Sequence, residues 1–225
     1  MEAWDEREKM YFSMFGESAA DCRRLLQQGA ECIRRVWREN ERAGDPIAFG
    51  AVAAALVPAF YEVPALGAVV GNYEFETWFA PATLPEPPAL PDGCVAGPLG
   101  EQDVAAVDAA WTYRSPQSAR VVAECIASRP SMGVWSPTGQ LVAWGVCRAD
   151  WTLGMLHVLP EMRQRGLASY IMLGLVAGVR AANPEAVPHV FIDKANEASK
   201  RLHVKAQFLH TDRFHHWVRL KQPHD

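Results

Sequence analysis

The sequence predicts an α/β (α+β) protein in which helices flank a mixed, mostly antiparallel sheet, preceded by a helical N-terminal appendage. The chain has 225 residues, of which 49% are hydrophobic and 21% are charged, as is typical of a globular domain that buries a core. Eight tryptophans argue against a disordered chain. The order of strands and helices predicted for the C-terminal half indicates the mixed sheet.

Residues 1–80 are predicted to form a mainly helical region. Ser18 followed by Asp21 is typical of a capping box at a helix N-terminus, and the apolar residues after them recur at helical spacing. These apolar residues are Cys22, Leu25, Leu26, Ile33, Val36 and Trp37. We expect a second helix over 48–60 and a short strand over 74–79, without polar groups arranged for chemistry.

Residues 81–98 contain six prolines in 18 positions. Proline lacks a backbone donor and favours extended backbone. This segment is therefore predicted to be a linker or a stretch of chain that wraps over a surface. The remaining residues, 99–225, are predicted to form the domain that contains the sheet.

Hydrophobic spacing and turn residues give the order of elements in 99–225. Two short helices, over 104–111 and after Ser115, precede a β-hairpin whose turn contains Pro137 and Gly139. The predicted order then continues with a strand over 153–158, a helix over 163–182, a strand over 189–193, a helix over 195–205 and a strand over 214–220.

Charge and cysteine content restrict the possible functions. Residues 1–150 carry 12 Lys and Arg against 20 Asp and Glu, whereas residues 151–225 carry 10 against 6. This moderate basic excess fits a small polyanion better than nucleic acid, which needs clustered Lys and Arg. The five cysteines show no metal-ligand spacing, so neither a metal nor a catalytic thiol is predicted.

The most informative stretch is 158–169, where a strand ends and a helix begins at an R-x-x-G-x-A element. Unpaired N–H groups in a first helical turn bind phosphate oxygens, and Arg163 and Arg165 add positive charge. The candidate anion-binding residues here are Arg163, Gln164, Arg165, Gly166, Leu167, Ala168 and Ser169.

A second motif, with Asn196, Ser199, His203 and Phe208, follows the next predicted strand. Together the two motifs resemble motifs A and B of the GNAT superfamily of acyl-CoA-dependent N-acyltransferases, and so imply a GNAT-like fold. In that superfamily the helix N-terminus holds the coenzyme A pyrophosphate and the preceding strand binds pantetheine. The resemblance therefore implies that 163–169 bind the pyrophosphate and that Leu156 and Val158 bind the pantetheine arm. The resemblance implies that Asn196 and Ser199 line the rest of this arm.

Further positions resemble the C-terminal domain of the glycine N-acyltransferase-like family over 94–220. These positions are 107–111, Ser118, Cys125, Ile126, Pro130, Pro137, Gly139, Val142, Trp144, 159–161, Arg163, Gly166, Leu167 and 196–198. The resemblance implies transfer of an acyl group from acyl-CoA to glycine or another small amino acid. Acetylation of arylalkylamines or polyamines, and a GNAT-fold module that binds acyl-CoA without turnover, are the alternatives.

The resemblance also implies a base where this chain has Thr152, because the glycine N-acyltransferases carry Glu there. Threonine cannot accept a proton near neutral pH. Either a water chain leads to Asp150, expected on the same strand face, or catalysis is weakened. His157 is expected to pack rather than to act as a base, because its register differs from the face of Thr152.

The family's tyrosine, which protonates the departing thiolate, corresponds to His203. Histidine can donate a proton at physiological pH, and the alternative is a histidine on the helix surface. Gln207 stands where the family has glycine, which is expected to affect the turn into the last strand.

The family resemblance implies a mitochondrial protein, but the first 20 residues carry five acids and two bases, unlike a presequence or a signal peptide. The alternative is a cytoplasmic location. No apolar run is long enough to span a membrane. The resemblance implies an acyl-CoA and a small amine or amino acid as partners. Charge, cysteine spacing and the length of apolar runs give no expectation of nucleic acid, metal or membrane.

Overall fold

A computed structural model of the chain describes residues 18–39, 47–114 and 118–221. Contacts group the chain into two compact units, one from Met1–Glu76 with Asp212–Asp225 and the other from Thr77–Thr211. This grouping does not coincide with the divisions drawn from the sequence around 81–98. The predicted fold class is confirmed, because helices flank sheets whose strands are mostly antiparallel.

From residue 104 onward, the helices and strands follow the order that the sequence predicts. The elements are α1 (Ala19–Glu39), β1 (Ile47–Ala53), α2 (Pro58–Tyr61), β2 (Ala68–Phe79), β3 (Val95–Gly97), α3 (Val104–Ala110), α4 (Ser118–Ser128), β4 (Ser131–Trp135), β5 (Leu141–Cys147), β6 (Leu153–Val158), α5 (Leu167–Ala182), β7 (His189–Asp193), α6 (Glu197–Lys205) and β8 (Leu209–Lys221).

Ser18 caps the N-terminus of α1, which is one half of the predicted capping box. The Oγ of Ser18 accepts the N–H of Asp21 at 3.2 Å and donates to the carboxylate of Asp21 at 2.8 Å. Cys22, Leu26 and Ile33 are buried, whereas Leu25 is exposed and so lies off the buried stripe. The side chains of Val36 and Trp37 lie outside the described residues.

The helix predicted over 48–60 is wrong for its first half, which forms β1. This strand pairs antiparallel with β8, with Ile47 opposite Leu220 and Ala53 opposite His215. Pairing with a strand that lies far along the sequence overrides the helical preference of an alanine-rich stretch. Only the short helix α2 follows, over Pro58–Tyr61.

In the second unit, β3, β4, β5 and β6 form an antiparallel sheet in that order. Apolar residues of α5 pack with Leu153 and Leu156 of β6. Trp144 and Val146 of β5 pack instead with residues of α3 and α4. The sheet is therefore covered by α5 on one face and by α3 and α4 on the other.

The proline-rich segment packs along α5 within the second unit, so of the two predicted forms it has that of a chain lying over a surface. The guanidinium of Arg180, near the end of α5, donates to the carbonyls of Ala82 at 3.1 Å and Pro81 at 2.6 Å. Leu84 and Leu90 pack against the apolar cluster that contains α5. The segment ends in β3, an edge strand that the sequence did not predict.

Strands β6 and β7 are paired at one position, next to the start of β6. A single parallel bridge joins Thr152 to His189, and beyond it the two strands belong to different sheets. The edge of β6 that follows this bridge is therefore free of a neighbouring ladder in the described chain. Among the described residues, no helix is both long and apolar enough to cross a membrane.

Candidate functional site

The loop after β6 leaves the N-terminus of α5 open. Its backbone φ angles are positive at Gln164 (+62°) and Gly166 (+81°), and α5 begins at Leu167 rather than at Arg163 as predicted. No side chain caps the helix at Gly166. The N–H groups of the first turn are therefore available to an external acceptor, at the positive end of the helix dipole.

The side chains around this helix start divide into exposed cations and buried anchors. Arg163 and Arg165 are exposed, and the Nε of Arg163 donates to the carbonyl of Val158 at 3.2 Å. Leu167 and Ser169 are buried and Ala168 is half-buried. The arginines therefore supply positive charge, and the next three residues contribute mainly backbone groups.

Pro88 of the proline-rich segment lies directly against Gly166. A Cβ built on Gly166 would come within 2.8 Å of the Cβ of Pro88, which leaves no room for a side chain. The proline-rich segment thus reaches from the C-terminal part of α5, where it binds Arg180, to the N-terminus of α5. Sequence reasoning missed this contact because the two residues lie far apart in the chain.

Strand β6 contains a bulge that the sequence did not predict. In the pairing with β5, Gly154 lies opposite Val146 and His157 opposite Trp144, so β6 has one residue more than β5 between these positions. The φ of Met155 is +51°, which places the irregularity at that residue. Such a bulge interrupts pairing locally and redirects side chains.

The bulge changes which face of the sheet each β6 side chain occupies. Leu153 and Leu156 pack in the cluster with α5, whereas Met155 packs in the cluster with α3 and α4. His157 stacks on Trp144, on the face of α3 and α4. Neighbouring residues of a strand point to opposite faces. Thr152, which precedes Leu153, therefore lies on the face of α3 and α4 together with His157.

The expectation that His157 and Thr152 occupy different faces is therefore wrong. An odd separation places two residues on opposite faces of a regular strand, but the extra residue at Met155 reverses this relation.

Asp150 and Thr152 form a hydrogen-bonded pair at the start of β6. Asp150 Oδ1 accepts the Thr152 N–H at 3.1 Å and the Thr152 hydroxyl at 2.6 Å. The Arg148 N–H closes the same turn on the Thr152 carbonyl at 2.8 Å. Asp150 lies in this exposed turn rather than on the strand face where it was predicted, because it holds the turn together. Thr152 is buried.

His203 is buried at 3% exposure, so the alternative of a histidine on the helix surface is wrong. Its Nδ1 lies 2.8 Å from the carbonyl of Ser199, which can only accept, so Nδ1 carries the proton. Its Nε2 is buried without a hydrogen-bond partner among the described residues. Burial lowers the pKa of His203, which favours the neutral ring with a free acceptor at Nε2.

The second motif has a structural role in its helix. Asn196 caps α6, and its side-chain oxygen accepts the N–H of Ser199 at 3.0 Å. Gln207 has a φ of +61°, so it adopts the left-handed backbone that favours the family's glycine. The turn into β8 therefore contains a left-handed residue although that residue is not glycine.

The described residues contain no group of three or more His, Cys, Asp and Glu that could hold a metal ion. Burial raises the pKa of Cys147 to about 12 and also raises the pKa of Cys125. Both thiols therefore stay protonated near neutral pH, in the form that is a poor nucleophile.

Comparison with known proteins agrees with this architecture. Residues 131–218 match the model of a family described as FR47-like protein. Comparison with curated proteins gives no match.

Three similar solved structures cover most of the chain. A Drosophila protein is 18% identical with a TM-score of 0.70, covering 96% of this chain and 72% of its own. A GCN5-related N-acetyltransferase from Sphaerobacter thermophilus is 18% identical with a TM-score of 0.58, covering 89% and 68%. A putative acetyltransferase of the GNAT family from Novosphingobium aromaticivorans is 22% identical with a TM-score of 0.52, covering 69% and 68%.

The structural similarity establishes the fold, so the chain has the GNAT fold. The FR47-like model matches less than half of the chain, and two of the three structures are described as acetyltransferases. The narrower resemblance to the glycine N-acyltransferases is not part of these matches.

The contact of Pro88 with Gly166 predicts a large cost for Gly166→Ala. Gly139 is a matched control because its φ of +80° is nearly the same as +81° at Gly166, yet a Cβ there would meet nothing within 4 Å. Gly139→Ala should cost about 1–2 kcal/mol of unfolding free energy from backbone strain. Gly166→Ala should cost clearly more, as measured by urea denaturation. Equal costs would show that Pro88 does not confine the helix start.

Proposed function

We propose that this chain is an acyl-CoA-dependent N-acyltransferase that transfers the acyl group to glycine or another small amino acid. The observation that carries the proposal is the uncapped N-terminus of α5, entered through a loop with Arg163 and Arg165. A pyrophosphate is the kind of anion that such a helix start binds. The GNAT fold supports acyl transfer, and the family resemblance supports the amino acid acceptor.

In this proposal acyl-CoA lies along the open edge of β6. Its pyrophosphate contacts the backbone of 164–169, and its pantetheine arm contacts the backbone at Leu156 and Val158. The arm then passes the start of α6, where Asn196 and Ser199 lie. This path is supported by the pairing of β6 with β7, which stops at the Thr152–His189 bridge.

The reaction joins the amine nitrogen to the thioester carbonyl carbon and breaks the carbon–sulfur bond. Charge develops on the carbonyl oxygen, and backbone N–H groups near Leu156 stabilise it in this proposal. The amine loses one proton and the departing thiolate gains one. The protein must therefore supply a proton acceptor beside the bulge.

Asp150, Thr152 and His203 are the catalytic residues predicted from the sequence and its resemblance, and their geometry limits what they do. The Thr152 hydroxyl donates its proton to Asp150. Threonine has no carboxylate that could accept a proton from the amine. The His203 proton is held by the carbonyl of Ser199. To protonate a thiolate, His203 must first gain a proton at its buried Nε2.

An amino acid acceptor needs a cation for its carboxylate, and the two candidates are Arg148 and Arg120. The Cδ of Arg148 lies 3.7 Å from the position that a Cβ on Gly154 would take, beside the bulge. The Nε of Arg120 lies 3.5 Å from the carboxylate of Glu124 on the exposed side of α4. We therefore assign the carboxylate of the acceptor to Arg148.

Thr152 in place of the family's Glu favours a second candidate function, a GNAT-fold protein that binds acyl-CoA without turnover. The two candidates differ in a single observable, the release of free CoA thiol in the presence of an amine. They share the same binding site on α5, so binding alone does not separate them.

Purified protein with acetyl-CoA or benzoyl-CoA and glycine should release thiol in proportion to N-acylglycine, measured by a thiol reagent and by mass spectrometry. Methylamine, which lacks the carboxylate, should be a poorer acceptor than glycine. Turnover only with arylalkylamines or polyamines would contradict the amino acid acceptor. CoA binding with no thiol release for any of these amines would contradict the enzyme and favour the binding protein.

Replacing Arg163 and Arg165 together by alanine should weaken CoA binding. A charge-assisted hydrogen bond contributes about 1.5–3 kcal/mol, so the dissociation constant should rise about tenfold or more. Titration calorimetry with CoA measures this change. Arg24→Ala is the control, because Arg24 is an exposed arginine of α1 that pairs with Asp21. Equal affinities in the two variants would refute the pyrophosphate site.

A further inference from the structure

We propose that His157 is the general base of this acyl transfer. The proposal rests on the proposed function and names a catalytic residue for it. The position where the resembling family carries a carboxylate holds Thr152 in this chain, and its hydroxyl is already bonded to Asp150. Another proton acceptor on the same face of β6 is therefore required.

The bulge at Met155 places His157 on that face. Gly154 pairs with Val146, and three residues later His157 pairs with Trp144, so the extra residue shifts the alternation. Trp144 and Val146 both pack toward α3 and α4. His157 consequently occupies the face of Thr152, on the side of the sheet opposite α5. It is also the sole titratable side chain within β6 (Leu153–Val158).

His157 is adjacent in the chain to Leu156, whose backbone lies at the bulge and is assigned to the thioester carbonyl. Consecutive Cα atoms lie about 3.8 Å apart, so the backbone of His157 adjoins the position that the proposal assigns to the thioester carbonyl. An amine that attacks this carbonyl from the face of α3 and α4 passes the His157 ring.

The ring of His157 is held in place while its nitrogens stay available. It stacks on the Trp144 indole with the centroids 4.7 Å apart and the planes inclined by 24°. It is half-buried, and no described residue hydrogen-bonds either ring nitrogen. By contrast, the Nδ1 of His203 is bonded to Ser199 and its Nε2 is buried.

The electrostatic surroundings favour the neutral, proton-accepting ring. Burial and the positive charge of Arg163, on the loop after β6, lower the pKa of His157. The facing residue on β5, Trp144, carries no charge. A neutral imidazole is thus present at physiological pH.

His157 alone can carry the proton from the amine to the departing thiolate. The amine nitrogen bonds to the carbonyl carbon and gives its proton to a ring nitrogen of His157. The carbon–sulfur bond then breaks, and the imidazolium returns the same proton to the thiolate. The products are the amide and free CoA thiol, so no oxidant, metal or second acid enters the balance.

Two substitutions at His157 distinguish a base from a packing residue. His157→Phe keeps an aromatic ring against Trp144, and His157→Ala leaves a space that free imidazole can enter. Both should lower kcat about 100-fold or more, the usual contribution of a general base, with unchanged affinity for CoA. Added imidazole should restore turnover to His157→Ala in a saturable way and should not restore it to His157→Phe.

His210→Phe is the matched control, because His210 stacks on Trp78 with the same centroid distance of 4.7 Å in β8. This variant should turn over like the wild type. Wild-type turnover in His157→Phe, or lost turnover in His157→Ala that imidazole does not restore, would overturn the base assignment alone. A wild-type protein that binds CoA and releases no thiol with any amine would overturn the proposed function and the base with it.

Discussion

Met155, with its positive φ, gives β6 one residue more than β5 between two paired positions. That local irregularity decides which side chains face α3 and α4 and which face α5. It brings His157 onto the face of Thr152 and leaves Leu153 and Leu156 in the core with α5. Because β6 also pairs with β7 at a single bridge, the bulge lies where the sheet opens. Backbone groups freed by a bulge at such an opening are what an extended ligand arm can use.

The loop after β6 completes the site through a second backbone constraint. Gln164 and Gly166 both have positive φ, and a left-handed backbone at a residue other than glycine costs about 1–2 kcal/mol. Pro88 packs on Gly166 and Arg180 holds the same proline-rich segment at the other end of α5. Tertiary contacts therefore confine the loop that exposes the helix N-terminus, in keeping with strained residues at functional sites.

The sequence predicted what depends on local patterns. The helix cap at Ser18, the hairpin of β4 and β5 and the position of β7 all follow from spacing and turn residues. The helix start at α5 was placed at Arg163 because no local signal marks the left-handed backbone of Gln164. The bulge at Met155 and the contact of Pro88 with Gly166 arise from pairing and packing between distant segments, which a single sequence does not reveal.

The proposed function depends first on binding of the CoA pyrophosphate at the open N-terminus of α5. Amide chemical shifts of the labelled protein, recorded by NMR during a titration with CoA, test it most directly. If the pyrophosphate binds there, the largest shifts fall on the backbone amides of 164–169, because these N–H groups receive the phosphate oxygens. Saturable CoA binding that leaves these amides unmoved while others shift would contradict it.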